Sequence, residues 1–212
     1  MEPRTLDHVA LWVADRDAVA DVATAQLGMH VIDRTDAFTL VGADARRGKL
    51  TLFAAEGPRE NGPLLRIGLR VSSLDGRQPR VDLGEGLEAV LVEAPTDVEY
   101  DLDHVALATS DPAATARAWE AYGLRRVGDA RLEVGGAFVE LHPGEPGEPE
   151  RPLLNHLAVL VDSVEEHVAE AEERGLEIAD IVDAPNTLAL FVWGPDRVKL
   201  EYVEHKPSFS LT

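Results

Sequence analysis

Short apolar runs and helical patterns alternate along the chain in a regular order. The clearest instance begins with the apolar run 102–107, whose leucine and valine content is typical of a strand. Asp111 can cap a following helix over 112–122, with Pro112 at its first position and Gly123 after its last turn. Three apolar segments follow, near residues 124–128, 131–134 and 137–142. The pattern predicts a β-α-β-β-β unit.

The chain contains related units elsewhere, which indicates internal duplication. The segment LDHVAL occurs at residues 6–11 and again at 102–107, and similar strand starts occur at 64–71 and 153–161. The fourth unit has a capping box at Ser163 and strands near 177–182, 186–193 and 197–203. The second unit has only a short segment broken by glycine and proline where the helix should be, so we interpret it as degenerate.

These repeats predict an α+β fold of four units that form two cupped mixed sheets. We assign two units to an N-terminal half, residues 1–97, and two units to a C-terminal half, residues 98–212. Residues 143–152, rich in Gly, Pro and Glu, predict an exposed linker between the third and fourth units.

Composition narrows the chemistry that the chain can perform. The formal charge of −19 argues against nucleic acid or an anionic membrane as a partner, because phosphate binding requires clustered Lys and Arg. Cysteine is absent, so a metal could be bound only by His and carboxylates. The start of the chain lacks the basic and apolar blocks of a secretory signal, and no long apolar stretch occurs. We therefore expect a cytoplasmic protein.

Four segments carry a family resemblance, and their order and spacing make it specific. LDHVAL at 102–107, AFVELH at 137–142, LNHLAVLVD at 154–162 and FVWGPDRVKLEYVE at 191–204 resemble successive signatures of the vicinal oxygen chelate superfamily, which includes glyoxalases, bleomycin-resistance proteins and extradiol dioxygenases. The resemblance implies that paired β-α-β-β-β units form an open cup. It also implies metal ligands on the first and last strands of units three and four, at His104, Glu140, His156 and Glu201.

The implied ligands suit a divalent first-row metal. Two imidazoles and one carboxylate hold such an ion and leave positions open, whereas a second carboxylate favours a closed, non-redox site. Glu140 therefore decides the reaction class. His142 shares its strand parity with Glu140 and should project to the same face, which makes it a candidate supporting group in catalysis.

The first half of the chain lacks most of this set. His8 corresponds to His104, but we align Ile67 with His156, Thr51 with Glu140, and Val90 with Glu201. One ligand cannot hold a metal, so we interpret His8 as a structural remnant. Of the other histidines, we expect His30 and His205 to face solvent.

Three functions compete. In a glyoxalase-like lyase or isomerase, the quartet binds Ni, Zn, Co or Mn, the metal stabilises an enediolate, and Glu140 or Glu201 acts as the base. In an extradiol dioxygenase, His104, His156 and Glu201 bind Fe(II), with three positions left for a catechol and dioxygen. The third candidate is a metal-free protein that binds a small molecule in the cup, as the bleomycin-resistance branch does.

The dioxygenase alternative faces departures from the family pattern. The resemblance implies a His where this chain has Gly135-Gly136, a Tyr at Phe191 and a second His near Val182. His142 would have to replace the missing proton-transfer groups. The lyase is therefore the preferred prediction, with a small-molecule substrate and a homodimer as an open possibility.

Overall fold

The computed structural model describes residues 2–57, 59–147 and 149–212, which form two mixed open sheets. The first sheet has eight strands: β1 (Thr5–Val13), β2 (His30–Arg34), β3 (Phe38–Gly42), β4 (Lys49–Ala54), β12 (Leu154–Leu160), β13 (Glu177–Asp183), β14 (Thr187–Trp193) and β15 (Lys199–His205). The second sheet has seven: β5 (Leu64–Val71), β6 (Arg80–Asp82), β7 (Glu88–Glu93), β8 (Asp101–Thr109), β9 (Arg125–Arg126), β10 (Arg131–Val134) and β11 (Ala137–Pro143). The α+β fold predicted from the repeats is confirmed.

Three α-helices occur among the described residues. They are α1 (Arg16–Val22), which continues into a π-helical turn, α2 (Pro112–Trp119), which continues into a 3-10 turn, and α3 (Val164–Glu173). The carboxylate of Asp111 accepts a hydrogen bond from the Ala114 amide, and the hydroxyl of Ser163 accepts one from the Glu166 amide, so both predicted N-caps are present. No helix replaces the broken segment of unit two within the described part of the chain, as its sequence predicts.

The order of the strands shows how the units combine. The first sheet runs β13-β14-β15-β12-β1-β4-β3-β2, and the second runs β6-β7-β5-β8-β11-β10-β9. Units one and four therefore form the first sheet, and units two and three form the second. The proposed halves 1–97 and 98–212 do not form separate sheets, because the first strand of each unit pairs antiparallel with that of a unit from the other half.

Two extra residues, one on each strand, interrupt each of these central strand pairs at equivalent places. In the pairing of β1 with β12, Asp7 and Asn155 have no opposing partner. In the pairing of β5 with β8, Asp103 and Leu65 are the residues skipped. A β-bulge of this kind turns the extra side chain from the face that strict alternation would give it. It therefore allows a residue and its successor to act on the same side of the sheet.

One contiguous apolar core extends through both sheets. Helix α2, which belongs to a second-sheet unit, inserts Trp119 against Gly194 of the first-sheet unit four, where an added Cβ would lie 2.5 Å from the indole ring. The Tyr122 hydroxyl donates to the Trp193 carbonyl at 3.0 Å, beside this contact. These interactions fix the two sheets relative to each other. None of the helices in the described residues has the length and apolar character needed to cross a membrane.

Candidate metal centre

Three side chains converge on the face of the first sheet. His8 is on β1, His156 on the adjacent β12 and Glu201 on β15. The Nε2 atoms of the two histidines lie 3.2 Å apart, and Glu201 Oε2 lies 3.1 Å from His8 Nε2 and 2.9 Å from His156 Nε2. We refer to His8, His156 and Glu201 as the triad.

The triad is buried, which sets the charges of its members. Burial favours neutral His8, but the carboxylates of Glu201 and Asp7 outweigh it and raise the pKa of His8 to about 9. Burial favours protonated Glu201, but His8 and His156 lower the pKa of that carboxyl to about 2. Burial lowers the pKa of His156, with Glu201 opposing the shift. At neutral pH the metal-free triad therefore contains a carboxylate, an imidazolium and a neutral imidazole.

Residues preceding the two histidines hold their rings in place. Asp7 Oδ1 lies 2.7 Å from His8 Nδ1, and Asn155 Oδ1 lies 3.0 Å from His156 Nδ1. Both are the bulge residues of their strands, which is why adjacent side chains can meet. The contacts occupy the Nδ1 atoms and leave both Nε2 atoms directed at Glu201. Fixing the ring through its second nitrogen is the usual way in which a metal-binding histidine is oriented.

Asp7 is also the centre of a buried charge network. Its Oδ1 accepts a hydrogen bond from Lys49 Nζ at 2.6 Å, and its Oδ2 lies 2.9 Å from His205 Nε2. Burial would raise the pKa of Asp7, but Lys49, His205 and His8 together hold it well below its usual range. The prediction that His205 faces solvent is therefore wrong, because its ring is largely buried against the carboxylate of Asp7.

The donor set fits a divalent metal. Ligands at right angles on an ion about 2.1 Å away are about 3.0 Å apart, whereas tetrahedral ligands are about 3.4 Å apart. The three separations in the triad, 2.9 to 3.2 Å, are closer to the first arrangement. Two imidazoles and one carboxylate on one face are the donor set of a facial 2-His-1-carboxylate site. The buried triad could therefore bind a metal ion and leave further positions free.

A cavity of about 330 Å³ opens onto the triad. Its walls are mainly apolar and include Phe53 and Phe191, whose rings lie against that of His156, and Phe38, whose ring lies against that of Phe53. Phe209 and Leu211 of the C-terminal segment cover one side of it. Such a cavity suits a small molecule with a flat apolar body.

The structure separates the four ligands predicted from the resemblance. His156 and Glu201 lie together in the first sheet, but His104 and Glu140 lie on β8 and β11 of the second sheet. The quartet is therefore corrected. Its grouping assumed that units three and four share a cup, whereas unit four shares its sheet with unit one. His8, which we interpreted as a structural remnant, is the histidine that lies with His156 and Glu201.

His104 and Glu140 have a different partner, the guanidinium of Arg66 on β5. Arg66 Nη2 lies 3.1 Å from Glu140 Oε2 and 3.4 Å from His142 Nε2, while its Nε donates to His104 Nε2 at 3.3 Å. Glu140 and His142 thus project to the same face, as their spacing predicts. We refer to Arg66, His104, Glu140 and His142 on the second sheet as the second cup. The guanidinium of Arg66 is its cation, and His142 lies there rather than beside the triad.

Strand register shows which residues correspond in the two sheets. His156 pairs with Ala10 in the first sheet, and Arg66 pairs with Ala106 in the second. Arg66 therefore corresponds to His156, one residue before the Ile67 of our alignment, because we matched Leu64-Leu65 to Leu153-Leu154, whereas the equivalent bulges show that Leu64 corresponds to Leu154. Thr51 and Val90 correspond to Glu140 and Glu201, as aligned.

His8 is the member of the triad that sequence reasoning did not include. The signal was present, because LDHVAL at 6–11 is identical to the segment that carries His104. What the sequence did not reveal was which of these two histidines shares a sheet with unit four.

Comparison with solved structures places the fold among known proteins. A "putative dioxygenase" from Bacillus subtilis is 17% identical, with 98% of this chain and 87% of that chain covered and a TM-score of 0.74. Glyoxalase I from Zea mays is 16% identical, with 94% and 92% covered and a TM-score of 0.70. The cppA protein of Streptococcus pneumoniae is 13% identical, with 95% and 98% covered and a TM-score of 0.63.

Comparisons of the amino-acid sequence find no relative. No family model matches the chain, and no curated protein matches it either. The structural similarities extend over nearly the whole chain at low identity, so what they establish is the architecture.

Proposed function

We propose that this chain, which has the fold of the vicinal oxygen chelate superfamily, is a metal-dependent enzyme that uses the triad to act on a small substrate with two adjacent oxygens. The observation that carries the proposal is the buried convergence of His8, His156 and Glu201 within 3.2 Å of one another. A buried carboxylate between two imidazoles is costly to desolvate without a cation, and a bound metal would compensate it.

Among the candidate reactions, the triad favours an Fe(II)-dependent ring-cleaving dioxygenase over the lyase. The lyase prediction required a second carboxylate beside the metal, and Glu140 lies in the other sheet. Thr51 holds the corresponding place in the first sheet, so the donor set contains one carboxylate. Three protein ligands leave room for a chelating catechol and dioxygen, which is the known use of the facial triad. The structurally similar Bacillus subtilis protein is named a "putative dioxygenase", which agrees with this choice.

The chain's own residues would bind and orient the substrate. The aromatic walls at Phe38, Phe53 and Phe191 would hold a planar ring and exclude water. A bound Fe(II) would supply Lewis acidity and one-electron chemistry towards dioxygen. His205 lines the same cavity without belonging to the triad, and Asp7 orients its ring. We therefore assign His205 the role of accepting a substrate hydroxyl proton, in place of the histidines absent from the family positions.

The repeat provides a matched pair of variants for the metal test. His8 and His104 occupy the same place in identical LDHVAL segments but in different sheets. Purified wild type, His8→Ala and His104→Ala would be loaded with Fe(II) under anaerobic conditions, passed through a desalting column and analysed for bound metal. We expect about one ion per chain in wild type and His104→Ala and loss of the ion in His8→Ala. Equal metal in all three proteins, or loss only in His104→Ala, would refute the assignment.

Oxygen consumption then distinguishes the reactions. Fe(II)-loaded protein should consume dioxygen when a catechol is added, and His205→Ala should retain the metal but turn over roughly 100-fold more slowly. The lyase would instead be supported if the Ni-loaded protein converted a thiol adduct of a 2-oxoaldehyde and the Fe(II)-loaded protein consumed no oxygen with catechols. Tight binding of a small molecule without metal would indicate a binding protein.

A further inference from the structure

A second cavity, of about 520 Å³, lies further along the strands of the first sheet than the cavity at the triad. Its walls include Trp12, Trp193, Arg151 and Lys199. The proposed reaction at the triad uses none of these residues.

The two cavities belong to one surface. Side chains two residues apart on a strand lie on the same face, so Lys199 on β15 projects beside Glu201, and Trp193 on β14 projects beside Phe191. The spacing along the strand is about 7 Å for two residues. The ring of Phe53 connects the cavities, because its centroid is 5.5 Å from that of Trp12 and 6.2 Å from that of His156.

Lys199 is an unusual cation in this protein. Acidic residues outnumber Lys and Arg by 39 to 20, and there are only three lysines. Lys49 pairs with Asp7, and Lys206 pairs with Asp183. Among the described residues, no carboxylate lies within ion-pairing distance of Lys199. Its Nζ lies 4.8 Å from the centroid of the Trp193 ring, and burial lowers its pKa although Asp180 opposes the shift.

The surrounding charges leave Lys199 available. Arg197 stacks on Trp193 at 4.2 Å but is paired with Glu177. Asp196 accepts a hydrogen bond from Thr115, and Glu150 on the rim is exposed. Arg151 lies 5.7 Å from the Trp12 ring centroid and adds a second positive charge to the cavity. A half-buried ammonium without a carboxylate partner is poised to bind an anion.

We propose that this second cavity is a subsite for a carboxylate carried by the substrate, with Lys199 as its binding residue, Arg151 in support and the indole rings of Trp12 and Trp193 along its path. The proposal rests on the function assigned to the triad. The strand spacing then describes an aromatic substrate whose carboxylate is on a short side chain, roughly 7 Å from the two chelating oxygens. Lys199 would determine specificity, because a neutral analogue leaves the ammonium unpaired.

Binding measurements with matched probes test the subsite. Fe(II)-loaded protein would be titrated anaerobically with 3,4-dihydroxyphenylacetate and with the corresponding amide, and intrinsic tryptophan fluorescence would report binding. Phenylacetate and phenylacetamide, which lack the chelating oxygens, form a second pair. We expect wild type to bind each carboxylate about tenfold more tightly than its amide, as one charge-assisted hydrogen bond supplies. Lys199→Gln should abolish this preference, Lys199→Arg should retain part of it, and Lys206→Gln should leave it unchanged.

The two probe pairs separate this proposal from the proposed function. Catechol binding with the same preference in wild type and Lys199→Gln would overturn the subsite while leaving the triad assignment intact. A Lys199-dependent preference for phenylacetate, without metal-dependent catechol binding, would support the subsite and reject the chelating function. If no carboxylate is preferred in either pair, the subsite is rejected. Circular dichroism of each variant would confirm that it is folded.

Discussion

Asp7 determines the chemistry of the triad more than any residue outside it. Its carboxylate meets His8, Lys49 and His205, and it can do so because the bulge in β1 turns it to the same side as its neighbour. The family resemblance of local segments pointed to His156 and Glu201. It could not identify this network, because the contacts join residues from both ends of the chain. The charge on His8 follows from the network and can be measured.

Metal binding should release a proton from His8. Because the pKa of His8 in the metal-free site is about 9, the ring is protonated at pH 7.5 and must lose that proton to bind an ion. Calorimetric titration of Zn²⁺ into metal-free protein, in two buffers of different ionisation enthalpy, should show release of about one proton. The apparent affinity should rise about tenfold per pH unit and level off above pH 9. His8→Gln should show neither metal binding nor proton release, and proton-neutral binding by wild type would contradict this account.

Removing the charge of Asp7 should destabilise the fold. Lys49 has only 6% of its side chain exposed, so Asp7→Asn would leave a buried ammonium without a counter-charge. We expect the free energy of unfolding in urea to fall by about 3–5 kcal/mol. The exposed pair of Arg4 and Asp162 provides the control, since Asp162→Asn should cost less than about 1 kcal/mol. If Asp7→Asn and Lys49→Met were additive when combined, the two residues would not be coupled.

At the scale of the elements, the repeated unit was readable from sequence but its register was not. Helices α2 and α3 begin at their predicted caps, and the strands of units three and four lie where alternation places them. The bulge is a feature of strand pairing, and no residue type marks it. The equivalent bulges in β5 and β12 match Leu64-Leu65 to Leu154-Asn155; matching them to Leu153-Leu154 instead shifted our alignment from Arg66 to Ile67, and the guanidinium of the second cup was overlooked.

Gly68 is required by the second cup. It lies opposite His104, and an added Cβ would be 2.3 Å from His104 Nδ1. Gly68→Ala should therefore displace the imidazole or the strand and lower the free energy of unfolding by about 1–3 kcal/mol. Gly128→Ala is the matched control, because a Cβ there would meet Arg131 only at 4.0 Å. Equal stability of the two variants in urea would show that His104 can move freely.

At the scale of the whole molecule, the sequence left two ways to combine four units. Pairing unit one with two and three with four would bury the same apolar strand faces as the pairing that occurs. The choice depends on contacts between distant parts of the chain, such as Trp119 against Gly194, for which local patterns carry no signal. The resemblance gave the correct architecture and two members of the triad. It placed the remaining histidine in the wrong copy of the repeat, at His104 rather than His8.

The excess of acidic residues should make stability depend on salt. With a formal charge of −19, repulsion between surface carboxylates opposes the compact state, and added salt screens it. We expect the midpoint of thermal unfolding to rise between 0.01 and 0.5 M NaCl, by roughly 2–4 °C for each kcal/mol gained. Sucrose at matched osmolality is the control for general exclusion effects. A midpoint that does not change or decreases would show that repulsion does not limit stability.

Units one and four, which form the first sheet, are far apart in the sequence. This separation affects the order in which the two sheets can assemble during translation. The second sheet is built from one continuous stretch, Leu64 to Pro143, and can assemble while later residues are still being added. The triad joins His8 to Glu201, and so remains incomplete until β15 has left the ribosome. A nascent chain would then hold a finished second sheet beside a β1 that pairs with β4 but still lacks β12. A metal ion could therefore be held by the complete triad only after β12 and β15 have been synthesised and have taken their places.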